Sequence, residues 1–233
     1  PDLGCRTGDF FFLEQPDAFA QQRLVVDLVS RRLPKSYGYD PLRDIQVITP
    51  AKQGPLGTRE LNRLLQGKLN PPERGKGEAT LMGRTLREGD KVMQIRNNYD
   101  IIWQQPDGTA GTGIFNGDMG IIEMLDPGSK TIQVRFEEKL ATYSFENQDQ
   151  LEHAYAVTVH KSQGSEFEAV VMPLERRHPK LHYRNLLYTA VTRARKLLIM
   201  TGQKETVYAM VQNNRRTLRY TNQKEMLQEM CDE

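Results

Sequence analysis

The stretch YAVTVHKSQGSEF, residues 155–167, joins an apolar run to a dense group of polar side chains. The apolar part, Ala154 to Val159, is typical of a buried helix or strand. HKSQGSEF follows where that element meets a loop, ahead of a predicted strand at Ala169 to Met172. In open α/β sheets, ligands bind at the loops outside the carboxyl ends of strands. We therefore expect an α/β sheet that carries a ligand site here, with a solvated helix end as the alternative.

The side chains of this stretch suit a phosphorylated ligand. Lys161 offers a point charge, and Thr158, His160 and Ser162 offer donors for phosphate oxygens. Gly164 allows close approach of a backbone, and Glu166 is able to accept a hydrogen bond from a sugar hydroxyl.

A second stretch, NLLYTAVTRARKLLIMTG at residues 185–202, combines a helix face with a buried strand. The predicted helix runs from about Leu181 to Ala194, and the strand from Leu197 to Thr201. Arg193 is suited to a bidentate contact with phosphate. For Arg195 we favour the simpler interpretation, a cation that complements a helix C-terminus.

A third stretch, VITPAKQGPLGTRELN at residues 47–62, reads as strand, loop and helix. Backbone N–H groups at the helix start favour an anion, and Lys52 and Arg59 add positive charge. A plain turn between a strand and a helix is the alternative. The loop contains no G-x-x-x-x-G-K-[ST] phosphate loop, and no strand ends in Asp-Glu to hold magnesium.

The remaining pattern divides the chain into an α/β part and a β part. Strands are predicted at Phe10 to Leu13 and Asp44 to Thr49. Helices are predicted from an Asp17 cap to Leu33, stopped by Pro34, and from a Thr58 cap through Leu69. A final helix follows Thr201.

Residues 70–83 are rich in proline, glycine and polar side chains and predict a linker. Short strands follow at residues 91–96, 120–125, 131–136 and 141–145, with a hairpin loop at 126–129. They predict an all-β module of roughly 60 residues, near the lower limit for an independent domain. We expect an α/β domain at 1–80 and 151–233 with the module inserted at 81–150.

Composition limits the classes of protein. The 233 residues carry 32 Lys and Arg against 30 Asp and Glu, so a uniform basic coat is excluded while a local basic groove is not. No apolar run approaches membrane-spanning length. Cys5 and Cys231 give no metal motif, and a disulfide framework is not expected. We expect a cytoplasmic protein without a membrane partner and without a metal site of its own.

Together the three stretches resemble helicase motifs. YAVTVHKSQGSEF looks like motif V of superfamily 1 helicases and YTAVTRARK like motif VI, while Ser-Glu-Phe and YTAVTRA are similar to the RecD-like branch. The segments GDKVMQIRNNYD and IFNGDMGIIEML resemble the SH3-like insertion of that branch. The resemblance covers nearly the whole chain. It implies the second RecA-like motor domain of a 5′ to 3′ DNA helicase, with the ATP-binding first motor domain as its partner and other recombination or repair proteins as further partners.

The resemblance also implies roles for individual residues. Arg193 would reach the γ-phosphate of ATP bound with Mg²⁺ to the first motor domain. The other residues near ATP would be Gln163, Gly164 and Glu166. The residues on single-stranded DNA would be Thr158, His160, Lys161 and Ser162, joined by Lys52, Gly54 and Asn62. Tyr99 and Trp103 are candidates for base stacking, although core or surface packing explains aromatic residues more often.

Two other functions stay open on the sequence alone. The first is a non-catalytic nucleic-acid-binding or protein-docking module that uses the SH3-like part. The second is another superfamily 1 helicase, acting on RNA or in plasmid transfer. Arg193 together with the polar side chains of motif V favours a motor, because a pure binding module has no need of a γ-phosphate contact.

Overall fold

A five-stranded parallel sheet forms the α/β part of the chain in the computed structural model, which describes residues 3–4, 8–176 and 181–214. The strand order is β1 (Phe10–Glu14), β14 (Ala194–Gly202), β13 (Phe167–Pro173), β2 (Ile45–Thr49) and β12 (Ala156–Thr158). Every neighbouring pair in this sheet is parallel. The predicted RecA-like parallel sheet is confirmed. Both cysteines and residues 215–233 lie outside the described residues.

Helices cover both faces of this sheet. They are α1 (Ala18–Asp27), α2 (Leu33–Tyr37), α3 (Thr58–Leu69), α4 (Arg184–Val191) and α5 (Lys204–Gln212). Along β13, Val170 and Met172 pack in the cluster of α4 and α5, while Ala169 and Val171 pack in that of α1 and α3. A strand buried on both faces reads as a continuous apolar run, which is why the sequence predicted these strands well.

The first helix begins as predicted but does not stop at Pro34. The Asp17 Oδ1 accepts a hydrogen bond from the Ala20 N–H at 2.7 Å, which caps α1. A π-helical turn, Leu28–Arg32, then joins α1 to α2, which ends at Gly38 with a φ of 72°. Pro34 follows the π-helical turn directly, so its missing N–H falls where the regular α-helical hydrogen-bond pattern is already interrupted.

The start of α3 also differs from the prediction, since Gly57 and not Thr58 is its N-cap. A Cβ atom at Gly57 would lie 2.5 Å from the Gln53 carbonyl oxygen, so the loop before α3 requires glycine there. Leu61 and Leu65 on the predicted apolar face are fully buried, and Leu69 packs beside them. The loop before α3 is therefore so tight that its own carbonyl groups lie against the first residues of the helix.

The inserted β module is an antiparallel sheet of seven strands. Its strands are β5 (Lys91–Gln94), β6 (Asn98–Gln104), β7 (Ala110–Ile114), β8 (Met119–Asp126), β9 (Thr131–Phe136), β10 (Lys139–Ser144) and β11 (Leu151–His153), in the order β11-β5-β8-β9-β10-β6-β7. A 3-10 helix, Phe145–Gln150, precedes β11. The sheet has a core of its own. Because β11 pairs with β5, the module extends past the predicted limit at residue 150.

The predicted linker contains a further hairpin. Strand β3 (Glu78–Leu81) pairs antiparallel with β4 (Arg84–Arg87), and Met82 and Gly83 form the two-residue turn with φ values of 48° and 74°. Two positive φ values in a two-residue loop are typical of the tight turns that join twisted strands. Leu86 of this hairpin packs into the core of the module. The polar composition of the predicted linker gave no sign of this strand pair, which lies beside α3.

A buried carboxylate joins the module to the α/β domain. Asp90 is fully buried, and its two oxygens accept hydrogen bonds from five groups: the Asn70 Nδ2, the Tyr155 hydroxyl, the Gln66 Nε2, the Arg87 backbone N–H and the His153 Nε2. Burial raises the pKa of Asp90, but His153 through its hydrogen bond and charge, together with the hydrogen bonds of Asn70 and Tyr155, holds that pKa below its usual range. The donors come from α3 and its C-cap, the hairpin, β11 and the segment that enters β12.

The neighbouring Lys91 reaches from the module into the α/β domain. Its Nζ is buried, lies 3.4 Å from the Ile45 carbonyl oxygen and stands 5.8 Å from the centre of the Phe167 ring. Burial lowers the pKa of Lys91 to about 8, opposed by the charges of Asp40 and Asp44. Phe167 is the last residue of the 155–167 stretch, so the module packs directly against the segment predicted to carry the ligand site.

Candidate functional site

The 155–167 stretch runs from the end of the sheet where the carboxyl ends of the strands lie to the opposite end, where their amino ends lie. We call these two ends the carboxyl edge and the amino edge. Its apolar part forms β12, a 3-10 helix covers Val159–Ser162, and β13 begins at Phe167. Thr158 pairs with Thr49, so the connection leaves the carboxyl edge of β12 beside the end of β2. It ends at the amino edge of β13, where the Phe167 N–H donates to the Arg193 carbonyl oxygen at 2.9 Å. The predicted carboxyl-edge position therefore holds only for the first half of the stretch.

At the carboxyl edge, the four predicted phosphate donors divide into accessible and buried side chains. His160 is exposed, and the Lys161 Nζ lies 2.6 Å from the Glu152 Oε2. Thr158 is buried, and Ser162 is fully buried with its hydroxyl donating to the Val159 carbonyl oxygen at 2.8 Å. The contact of Ser162 with single-stranded DNA stays a prediction, and in this structure the hydroxyl proton instead closes the 3-10 turn.

The loop after β2 presents Lys52 and Gly54 to solvent but not the start of α3. The backbone N–H groups of Gly57, Thr58 and Arg59 donate to the carbonyl oxygens of the preceding loop at 3.0, 3.1 and 3.3 Å. A helix start attracts anions through unpaired N–H groups, and these three are paired. Anion binding here depends on side-chain charge and not on the helix start.

Asn62 does not face a ligand either. Its Nδ2 donates to the carbonyl oxygens of His153 and Ala156 at 3.1 and 2.9 Å, and its Oδ1 accepts from the Ala156 N–H at 2.7 Å. Both amide protons are committed to the backbone beside β12. The DNA contact of Asn62 stays a prediction, while in this structure the side chain fixes β12 against α3.

At the amino edge, the guanidinium of Arg193 is held by neutral oxygens. The Nε donates to the Thr189 carbonyl oxygen, the Nη1 to the Ser165 carbonyl oxygen and the Nη2 to the Thr192 hydroxyl, each at 3.1 Å. A guanidinium has five N–H donors, so one donor remains on each terminal nitrogen. The side chain is half-buried and ties the end of α4 to the 155–167 stretch.

The other residues predicted beside ATP lie in the part of the 155–167 stretch that Arg193 contacts through the Ser165 carbonyl oxygen. Gln163 and Gly164 are exposed, and Gly164 has a φ of 86°, which strongly favours glycine. The Glu166 Oε2 is 3.0 Å from the Nε of Arg195. Arg195 stands on β14 and not at a helix end, so its predicted role as a helix-dipole partner is wrong. It forms an ion pair with the carboxylate that was predicted to reach the ribose.

A groove of about 690 Å³ runs between α3, the β3–β4 hairpin and β11. The charged side chains that line it are Lys52, Arg59, Arg63, Arg84 and Glu152. Arg84 and Glu152 were not predicted, because no local pattern marks them. Burial raises the pKa of Glu152, but Lys161 through its hydrogen bond and charge, together with Lys52 and Arg84, holds that pKa below its usual range.

The two aromatic candidates of the module differ. Tyr99 is 66% exposed and meets the Phe115 ring edge-on at 5.6 Å between centroids. The Trp103 ring lies under the Lys139 Nζ at 4.9 Å and packs so closely on Gly111 that a Cβ there would clash. Trp103 therefore serves packing, whereas Tyr99 stays largely exposed beside Phe115.

Within the described ranges 3–4, 8–176 and 181–214, no group of three or more His, Cys, Asp or Glu side chains is placed to hold a metal ion. No helix within the same ranges has the length and apolar character needed to cross a membrane.

Two segments of the chain match known protein families. Residues 61–136 match the family described as the ATP-dependent RecD-like DNA helicase SH3 domain, and residues 153–201 match the UvrD-like helicase C-terminal domain. The first segment spans α3 and most of the β module. The second contains the 155–167 stretch, Arg193 and most of β14.

Curated helicases are similar to the chain in sequence. The chain is 35% identical over 158 residues to the ATP-dependent RecD2 DNA helicase of Deinococcus radiodurans, covering 68% of this chain and 20% of that protein. It is 27% identical over 170 residues to the RecBCD enzyme subunit RecD of Mycobacterium tuberculosis, covering 73% and 27%. Pif1 helicase from Bacteroides, solved with ADP-AlF3 and single-stranded DNA, is similar with a TM-score of 0.46 and 16% identity, covering 91% of this chain and 50% of that one. The chain thus spans about a fifth to a quarter of the two curated relatives.

Proposed function

The chain belongs to the RecD-like helicases, and from that premise we propose that it is the C-terminal motor half of an ATP-dependent helicase that moves 5′ to 3′ on single-stranded DNA. Its partner is a first motor domain that binds ATP and Mg²⁺. The proposed division into a motor domain at 1–80 and 151–233 and an SH3-like module at 81–150 follows the two sheets, with β3 and β11 extending the module at its ends.

The geometry of Arg193 carries the proposal. Its guanidinium is anchored by three hydrogen bonds to neutral oxygens, and one donor remains on each of its two terminal nitrogens. Two donors in that fork match the oxygens of a phosphate. Arg193 would contact the γ-phosphate of ATP held by the first motor domain, where bound Mg²⁺ neutralises developing charge on the phosphates. Gln163, Gly164 and Glu166 would border the same nucleotide.

The proposed DNA grip lies at the opposite edge of the sheet. Lys52, Gly54, His160 and Lys161 are accessible there and would hold the phosphate backbone. Thr158 and Ser162 would act indirectly, since their burial sets the path of the connection that carries His160 and Lys161. One covalent segment, the 155–167 stretch, thus spans the proposed DNA edge and the proposed ATP edge. Closure of the cleft on ATP would alternate the grip and move the motor along one strand.

Nucleotide hydrolysis tests the division of labour. The isolated chain is expected to hydrolyse no ATP, because the groups that hold ATP and Mg²⁺ belong to the first motor domain. The complete helicase that contains this chain is expected to show turnover stimulated by oligothymidylate. A coupled assay of ADP release on both proteins checks this. Appreciable turnover by the isolated chain would contradict the proposal.

The proposed grip on phosphates predicts salt-sensitive DNA binding. For each phosphate neutralised, the logarithm of affinity for single strands falls with a slope of about 0.7 against the logarithm of salt concentration. Fluorescence anisotropy of labelled oligothymidylate, titrated at NaCl concentrations from about 50 to 300 mM, measures that slope. An affinity unchanged across this range would argue against a grip through Lys52 and Lys161.

A non-catalytic binding module is the second candidate function. One observation favours it, since the β module has its own core and exposes Tyr99 and Phe115 as neighbouring rings. Such a module would bind DNA without any dependence on ATP. The anchored guanidinium of Arg193 separates the two functions, because a binding module gains nothing from it.

A further inference from the structure

One carboxylate stands among three cations at the mouth of the groove between α3 and the hairpin. The Glu152 Oε2 lies 2.6 Å from the Lys161 Nζ, and the two side chains are 41% and 24% exposed. Lys161 belongs to the proposed DNA grip, whereas Glu152 belongs to β11 of the module. A residue of the grip is therefore paired with an acidic side chain of the same chain.

Two further cations act on the same carboxylate from other elements. Lys52 comes from the loop after β2, Arg84 comes from the hairpin, and both line the groove with Glu152. The Arg84 Nη1 donates to the carbonyl oxygen of Leu151 at 2.8 Å, which holds its guanidinium beside the backbone that carries Glu152. Three positive charges thus converge on one negative charge, and the cluster keeps a net positive charge.

A carboxylate and a phosphodiester group present the same pattern to such a cluster. Each offers two oxygens and one negative charge, and lysine and arginine bind both. Lys161 is a flexible point charge and exchanges one partner for the other without a change of backbone. The existing pair is partly exposed, and ion pairs of that kind contribute little net stability. Exchange for a phosphate therefore meets little resistance.

We propose that Lys52, Arg84 and Lys161 form a binding site for one phosphate of single-stranded DNA, and that Glu152 occupies this site in the unbound protein as an internal competitor. The inference rests on the proposed function and adds two residues to it. Arg84 becomes a DNA contact supplied by the hairpin. Glu152 becomes a residue that weakens DNA binding and makes release of the strand easier at each step.

Neutralising the competitor tests the inference. Glu152→Gln in the complete helicase is expected to bind labelled oligothymidylate several-fold more tightly at low salt, by roughly the factor that a partly exposed ion pair represents. Anisotropy titration gives the affinity directly. Glu123→Gln is the matched control, because Glu123 of β8 pairs with Arg135 of β9 at 2.8 Å with similar exposure, 43% and 27%, and does not line the groove. The control is expected to bind as the unsubstituted protein does.

The cation of the hairpin provides the second arm. Arg84→Gln is expected to weaken binding and to make the salt slope shallower by about 0.7, the value for one phosphate on a single strand. The loss is expected to be larger in the Glu152→Gln background, because Arg84 is no longer partly neutralised there. Such coupling is not expected between Arg84→Gln and Glu123→Gln, whose side chains share no partner.

The outcomes separate this inference from the proposed function. If the unsubstituted helicase binds oligothymidylate but Glu152→Gln binds equally or more weakly, the competitor is absent and only this inference fails. If Arg84→Gln binds and responds to salt as the unsubstituted protein does, Arg84 is not a contact. If the unsubstituted helicase binds no oligothymidylate at all, the proposed function fails and this inference fails with it.

Discussion

Arg193→Ala is expected to lower the DNA-stimulated ATPase rate of the complete helicase by about two orders of magnitude or more, while DNA binding persists. In related phosphoryl-transfer enzymes, an arginine that contacts the γ-phosphate contributes about 10³ to 10⁵ in rate. The effect falls on turnover because the guanidinium stabilises charge that develops in the transition state.

The surroundings of Arg193 explain why no neighbour would replace it. Its three hydrogen bonds to Thr189, Ser165 and Thr192 fix the side chain before ATP arrives, so little order is lost when the nucleotide binds. Arg195, two residues further on, already pairs with Glu166 at 3.0 Å. The nearest arginine in sequence is thus occupied at the same edge.

Two companion variants make the Arg193 result specific. Arg193→Lys keeps the charge but loses the fork, and we expect most of the rate to be lost. Arg31→Ala removes an exposed arginine of the π turn that pairs with Asp27, and its rate is expected to match the unsubstituted protein. Steady-state ATPase assays with saturating oligothymidylate measure all three. An unchanged rate for Arg193→Ala would favour the non-catalytic binding module.

Asp90→Ala is expected to reduce the free energy of unfolding by about 3 to 5 kcal/mol, the range seen when one partner of a buried charged network is removed. Asp90 is fully buried and satisfies donors from five groups. Without the carboxylate, these donors stay buried and unpaired, and each unpaired group costs about 1 to 3 kcal/mol. Denaturant unfolding followed by circular dichroism measures the change.

The loss of unfolding free energy caused by Asp90→Ala should depend on pH in a defined direction. The pKa of Asp90 is lowered in the folded state, so its contribution is present above the unfolded value of about 3.9 and is lost as pH falls through the lower folded value. The difference between Asp90→Ala and the unsubstituted protein should therefore narrow in acid. Asp100→Ala, at an exposed position of β6, is the control and should have the same free energy of unfolding as the unsubstituted protein. If Asp90→Ala and the unsubstituted protein have the same free energy of unfolding at neutral pH, the network contributes nothing to stability.

Local sequence patterns determined much of this protein. Strands β2, β13 and β14 were predicted because burial on both faces makes each a continuous apolar run, whereas the run that forms β12 was compatible with a helix or a strand. The Asp17 cap and the leucine face of α3 depend on residues within four positions of each other. The motif V and motif VI stretches are likewise contiguous. Fold class and family therefore followed from short segments read one at a time.

Tertiary structure alone decided which polar side chains face a ligand. Asn62 and the backbone of Ala156 are 94 positions apart, and only folding shows that the amide is used up there. Lys161 meets Glu152 across the start of β12, and Arg84 joins them from a hairpin 67 residues before Leu151. Hydrogen bonding and charge pairing act at about 3 Å whatever the separation along the chain. The sequence by itself determined the elements and the family, and the packing of distant segments decided which groups remain available to bind.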